Sequence, residues 1–193
     1  MNNDTEKAVS ILNSGGIIIF PTDTAFGIGC RIDNTMAIQK LFKLRKRPQN
    51  QATPVLVSSI NMASDYLLKI TKDVKERLML KYWPGALTIV LQSRTDKVPE
   101  LVRGYGTTIG VRMPNNRTIL EIIKRVGVPI LGPSANFHGE QTPYSFNELD
   151  TKLVQCVDMV IDGECSLKNV STVIDCSKHP WQILRQGVVE VNI

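Results

Sequence analysis

This sequence is poor in aromatic residues, which make up 6% of its 193 positions, and it has only two histidines, His138 and His179. A histidine-based metal centre or a histidine-dependent triad has little material to draw on. RNA readers that stack bases present aromatic platforms, and the aromatics here are not interleaved with basic residues. Four cysteines stand at 30, 156, 165 and 176, and none form a CxxC pair. Their spacing fits neither a zinc site nor a small disulfide scaffold, so reduced thiols are expected, mostly in the core. No apolar run approaches the length of a membrane span, so no membrane partner is expected. The start, Met1-Asn2-Asn3-Asp4, has no basic region leading into an apolar run. No signal peptide is therefore expected, and the expected compartment is the cytoplasm. Neither a GxxxxGK(S/T) loop nor a GxGxxG fingerprint occurs, so an ATP site would be built without the common phosphate loops. There is no internal repeat, low-complexity stretch or linker. No Ser, Cys or Lys stands out as a nucleophile with a base beside it.

What is present suits one globular domain over 1–193, with 42% hydrophobic and 21% charged residues. The net charge of +5 points to anionic partners such as nucleotides or RNA. Apolar spacing predicts helices over 5–13, from 34 or 35 to a stop at Pro48, over 62–68 and 72–82, over 116–127 and over 147–153. Short apolar runs predict strands at 17–20, 54–58, 87–91, 107–113 and 129–132, and in the tail at 159–161, 172–174, 183–184 and 188–189. Helices and strands alternate, without a regular βαβ rhythm towards the end. The expected class is α/β, a single domain with one mixed, twisted sheet, flanking helices and a cationic cleft.

Two stretches carry the polar chemistry. Thr22, Asp23 and Thr24 follow the strand that Pro21 ends, with Gly27 and Gly29 close behind. On the residues alone this is as well read as a capped turn. Lys40, Lys43, Arg45, Lys46 and Arg47 then place five cations within eight residues. They fit a solvated helix end or a phosphate clamp; Lys40 and Lys43 are read as the former, Arg45 and Arg47 as the latter. Ser134 and Asn136 suit a helix cap, and Ser171 and Thr172 suit a strand edge.

The segment Pro21-Thr22-Asp23-Thr24-Ala25-Phe26-Gly27-Ile28-Gly29-Cys30 resembles the opening motif of the YrdC/TsaC family, the threonylcarbamoyl-AMP synthases. Further similar segments follow in family order. They are Arg45-Lys46-Arg47-Pro48, Trp83-Pro84-Gly85, Val111-Arg112-Met113-Pro114, Pro133-Ser134-Ala135-Asn136, Ser171-Thr172-Val173 and Ile183-Leu184-Arg185-Gln186-Gly187.

The resemblance implies a nucleotidyltransferase that makes threonylcarbamoyl-AMP and pyrophosphate from L-threonine, bicarbonate and ATP. A downstream threonylcarbamoyl-transferase complex would move the group onto the tRNA adenosine beside the anticodon. ATP contacts are implied for Arg45, Arg47, Gln51, Thr108, Ser134, Asn136, Thr142 and Arg185. Contacts to L-threonine are implied for Thr24, Arg112, Gly132 and Ser171. Mg²⁺ is expected with the triphosphate, with no protein ligand identified, and weak tRNA binding would suit the basic character. Departures from the family pattern are Arg45 for a lysine, Gln51-Ala52-Thr53 for Asn-Pro-Leu, Leu56 for a histidine of some relatives, and Phe26 for Tyr. If lysine suffices in relatives, Arg45→Lys is expected to be tolerated and Arg47→Lys to be damaging. A non-catalytic RNA-binding module is the second reading, and carbamoyl transfer as in hydrogenase maturation proteins is the third.

Overall fold

The computed structural model describes residues 3–192; residues 1, 2 and 193 of the expected 1–193 domain lie outside them. The strands are β1 (Ile18–Phe20), β2 (Gly27–Gly29), β3 (Val55–Leu56), β4 (Leu87–Gln92), β5 (Thr108–Arg112), β6 (Ile130–Leu131), β7 (Met159–Val160), β8 (Thr172–Asp175) and β9 (Gln182–Arg185). The α-helices are α1 (Asn3–Asn13), α2 (Thr35–Leu44), α3 (Ile60–Ser64), α4 (Leu80–Tyr82), α5 (Arg117–Val126) and α6 (Thr151–Val154). A π-helical turn, Val74–Met79, leads into α4, so the helix expected over 72–82 is of two kinds. The apolar pair Val188-Val189 forms no strand.

The α/β class and the mixed pairing agree with expectation, but the strands divide between two sheets rather than one. One runs β2-β1-β7 and the other β6-β3-β5-β4-β8-β9, each with parallel and antiparallel neighbours. Isolated bridges, Gly27 to Ser134 and Arg31 to Ile130, stitch the two together. The close crossing depends on Gly29, where a Cβ would lie 2.0 Å from the Leu131 carbonyl oxygen.

Ile17 to Phe20 is fully buried, as an apolar, β-branched run should be in a central strand. Ala8 and Leu12 of α1 pack with Ile119, Ile122, Ile123 and Val126 of α5 against Ile18, Phe20 and Ile130. Asn116 caps α5 by accepting from the Ile119 N–H at 3.1 Å, and Gly127 closes it at φ +79°. A larger core lies between the six-stranded sheet, α2 and the π-helical turn, around Ile38, Leu41, Leu78, Ile89, Val111 and Ile174.

Helix α2 does not run to Pro48. It stops at Leu44, where Lys46 N–H bonds Lys43 O at 3.1 Å and Arg47 N–H bonds Phe42 O at 2.9 Å. This is the Schellman pattern, with Lys46 at φ +52° in the place glycine usually takes. The reversal sends Arg45 into the core and leaves Arg47 at the half-buried margin.

Candidate functional site

A cavity of about 400 Å³ opens where the loop after β1, the end of α2, strands β4 and β5 and the turn after β6 meet the β8–β9 hairpin. Of the twelve residues expected in a site, ten line it: Thr24, Arg45, Arg47, Thr108, Arg112, Gly132, Ser134, Thr142, Ser171 and Arg185. Gln51 and Asn136 do not. Gln51 is exposed, on a turn closed by its own N–H to Pro48 O at 3.2 Å. Only its carbonyl contributes, accepting from Arg47 Nε at 3.2 Å. Asn136 is buried and meets the wall through its hydrogen bonds with Arg45 and Ser134.

The Thr22-Asp23-Thr24 loop divides its work. Thr22 does serve as a turn cap: its Oγ1 accepts from the N–H groups of Thr24 and Ala25 at 3.1 and 3.2 Å and donates to Ala25 O at 2.7 Å. Asp23 and Thr24 face Arg112, which β5 delivers. Arg112 donates from Nη2 to Asp23 Oδ1 at 2.5 Å, from Nη1 to Thr24 Oγ1 at 2.6 Å and from Nε to Gly85 O at 2.9 Å.

On the facing wall, Arg185 donates from Nε and Nη2 to Ser171 O at 3.0 and 2.8 Å, and from Nη2 to Ser171 Oγ at 3.0 Å. The Ser171 hydroxyl also meets Thr88 Oγ1 at 3.0 Å. Neighbouring Thr172 is no edge filler. Its buried hydroxyl donates to Val189 O at 2.6 Å and accepts from Gly187 N and Val189 N at 3.0 and 3.2 Å.

The third wall is built from Ser134, Asn136 and the two arginines beyond α2. No helix starts at Ser134, so its hydroxyl caps nothing and donates to Asn136 Oδ1 at 2.6 Å. Asn136 donates from Nδ2 to Glu140 O at 2.7 Å. Arg45 donates to Asn136 from Nε and Nη2, while its Nη1 is buried with no partner among the described residues. Arg47 Nη2 donates to Ala52 O in a short contact. Thr53, also on the cavity wall, has a buried hydroxyl with no partner among the described residues. A buried donor without an acceptor is costly, and both groups belong to residues of the cavity wall.

Among the described residues, four arginines and no carboxylate line the cavity. Burial pulls the Arg45 guanidinium down to about 10, helped by the charge of Arg47, and it stays charged at neutral pH. Burial also lowers Arg47, Arg112 and Arg185, with Asp23 acting against that pull at Arg112. Such a surface suits a ligand with several negative oxygens. Among the described residues, no group of three or more His, Cys, Asp or Glu could hold a metal ion.

Thr53 and Thr88 are not among the residues expected in a site, and Asp23 is expected only as part of the polar loop, without a ligand role. The signal for Thr88 was a lone hydroxyl in the otherwise apolar strand 87–91. Asp23 lay within a quoted motif but faced no partner identifiable from sequence.

The Sua5/YciO/YrdC family model, described as telomere recombination, matches residues 10–187. A Bacillus subtilis protein named threonylcarbamoyl-AMP synthase is 30% identical over 185 residues, covering 94% of this chain and 52% of that protein. Pyrococcus abyssi Sua5 complexed with L-threonine superposes with a TM-score of 0.90 at 29% identity, covering 95% of this chain and 54% of that one. Escherichia coli YciO superposes at 0.85 with 26% identity, covering 96% and 90%. The chain spans about half the length of the B. subtilis and P. abyssi relatives it matches. With the family match running through nearly every wall of the cavity, this chain belongs to the Sua5/YciO/YrdC family.

Proposed function

We propose that the chain makes L-threonylcarbamoyl-AMP and pyrophosphate from L-threonine, bicarbonate and ATP. One observation carries the reading: a single cavity gathers Arg45, Arg47 and Arg185 with Arg112, Thr24 and Ser171. That is a polyanion site and a candidate carboxylate site within one enclosure. The likeness to proteins named threonylcarbamoyl-AMP synthase, and to a threonine-bound Sua5, supports the same assignment.

In this reading the triphosphate lies against Arg45, Arg47 and Arg185, with hydroxyls from Ser134, Thr108, Thr142 and Thr53 nearby. Asn136 acts by holding Arg45. Arg112 takes the carboxylate of threonine, and Thr24, Ser171 and the Gly132 backbone complete the small pocket. The threonine amine adds to CO₂ drawn from bicarbonate and loses a proton. A carbamate oxygen then attacks the α-phosphorus, the bond to the β-phosphate oxygen breaks, and pyrophosphate leaves. The arginines stabilise charge growing on the leaving phosphates, and the enclosure holds the two reactants in line. Mg²⁺ would accompany the triphosphate and neutralise part of its charge; the hydroxyl-rich wall fits an ion carried on phosphate oxygens.

The product would pass to a threonylcarbamoyl-transferase system acting on tRNA in the cytoplasm. No helix among the described residues is long and apolar enough to cross a membrane. The test is pyrophosphate release that requires both L-threonine and bicarbonate. Release with ATP alone, or none with all three, would reject this activity.

A further inference from the structure

Asp23 is absent from the cavity wall, yet it holds a residue that forms it. Its side chain is buried, and Oδ1 accepts from Arg112 Nη2 at 2.5 Å and from the Asn115 N–H at 3.1 Å. Its carbonyl oxygen accepts from Leu167 N–H at 2.8 Å and from the Ser166 hydroxyl at 3.4 Å. Asp23 therefore ties together the loop after β1, the exit of β5 and the segment that leads into β8.

A guanidinium has five N–H donors. On Arg112 three are placed, on Gly85 O, Thr24 Oγ1 and Asp23 Oδ1. Two remain, one on each terminal nitrogen, which is the number a bound carboxylate can use. The three anchors come from different segments and differ in kind. Gly85 supplies a backbone oxygen, and Thr24 a hydroxyl that also meets Thr22 Oγ1 at 3.0 Å. Asp23 alone supplies charge: no other carboxylate forms an ion pair with Arg112 among the described residues. Its second oxygen, Oδ2, is buried with no donor among the described residues, so the carboxylate acts through Oδ1.

We propose that Asp23 is a positioning residue for amino-acid recognition: it fixes the orientation of the Arg112 guanidinium and so presets its two free N–H groups for a small carboxylate ligand. The role rests on the proposed synthase reading for the identity of that ligand, L-threonine. Asp23 itself touches no substrate. Its charge keeps a buried cation in place before substrate arrives, which lowers the ordering that binding would otherwise require.

The test uses Asp23→Asn, which keeps shape and an acceptor for Asn115 but drops the charge. The expected result is a rise of about tenfold or more in KM for L-threonine, with KM for ATP changed by less than about twofold. Equal rises for both substrates, or no rise for threonine, would overturn the proposal. A second measurement does not depend on activity. The Arg112 ¹⁵Nε–¹H resonance of the free protein should exchange slowly with water in the wild type and markedly faster in Asp23→Asn. Equal exchange in the two proteins would overturn the positioning role. Were the wild type to show no threonine-dependent pyrophosphate release, the synthase reading would fall and the resonance would still decide what Asp23 does to Arg112.

Discussion

Arg45 and Asn136, 91 positions apart, are joined through one guanidinium: Nε donates to the Asn136 carbonyl oxygen at 2.9 Å and Nη2 to its amide oxygen at 3.3 Å. The fork ties the end of α2 to the turn after β6. A lysine has a single nitrogen and cannot reproduce that planar fork.

That geometry opposes the expectation that Arg45→Lys is harmless. The substitution strands a buried carbonyl oxygen, which should lower stability by about 1–3 kcal/mol. Arg47→Lys should leave the melting temperature close to wild type, because Arg47 sits at the half-buried margin. It should instead slow pyrophosphate release by roughly tenfold, about 1.4 kcal/mol in the barrier. Calorimetric melting and steady-state kinetics on both variants separate the two effects. An Arg45→Lys protein that melts with the wild type would show that its fork contributes little.

The ion pair between Arg112 and Asp23 has both side chains under a tenth exposed, at 8% and 3%. Arg112→Ala leaves the Asp23 carboxylate buried without its cation, so the fold should lose about 3–5 kcal/mol. Asp23→Asn combined with Arg112→Met removes both charges and should recover part of that loss. Urea unfolding of the two proteins is the measurement. A double variant no more stable than Arg112→Ala would mean the stranded charge is not the cause.

Cys156 is exposed, whereas Cys30, Cys165 and Cys176 are buried. Burial pushes the Cys30 and Cys176 thiols up to about 12, with added push from Asp33 and Asp175 respectively. Burial raises Cys165 as well. A raised thiol pKa withholds the reactive thiolate until the pH approaches that value. At pH 8 a disulfide reagent should therefore titrate one thiol quickly and the remaining three only on unfolding. Fast reaction in Cys156→Ser would contradict the burial of the others.

Two glycines should tolerate a methyl group differently. At Gly132 a Cβ would meet the Leu56 side chain, at 2.4 Å from Cγ. Gly132→Ala should cost about 1–3 kcal/mol, and Leu56→Ala in the same chain should relieve the clash. At Gly187 the Cβ would meet backbone, at 2.3 Å from Val170 O and 2.5 Å from Thr172 N. No side-chain change can relieve that contact. Thermal melts of the single and double variants test the contrast, and a Gly187→Ala protein as stable as wild type would refute it.

Local signals were legible in the sequence and non-local ones were not. Asn116 and Gly127 bracket α5 because caps act within a few residues. The end of α2 falls earlier than Pro48 because Lys46 takes a backbone conformation that its side chain does not advertise. The division into two sheets is not written locally, because β1 takes β7 as its parallel neighbour from about 140 residues away, a choice made by packing. In the site, the motif residues came from family resemblance. Arg45 turned inward, Gln51 turned out to solvent, and Asp23 found Arg112, all through tertiary neighbours that no local pattern encodes.

The cavity wall begins at Thr22 and is completed by Arg185. A growing chain carries the loop after β1 and the arginines beyond α2 long before it has the strands that face them. The enclosure exists only once β8 has docked on β4 and β9 on β8. Pairing over such distances in sequence is a slow, late event in folding, since loop closure must precede the contacts that reward it. Any ligand that bridges Arg45 and Arg185 is thus a clock for that last docking step. Its binding during refolding should lag behind the formation of α5, whose two caps lie within its own few residues.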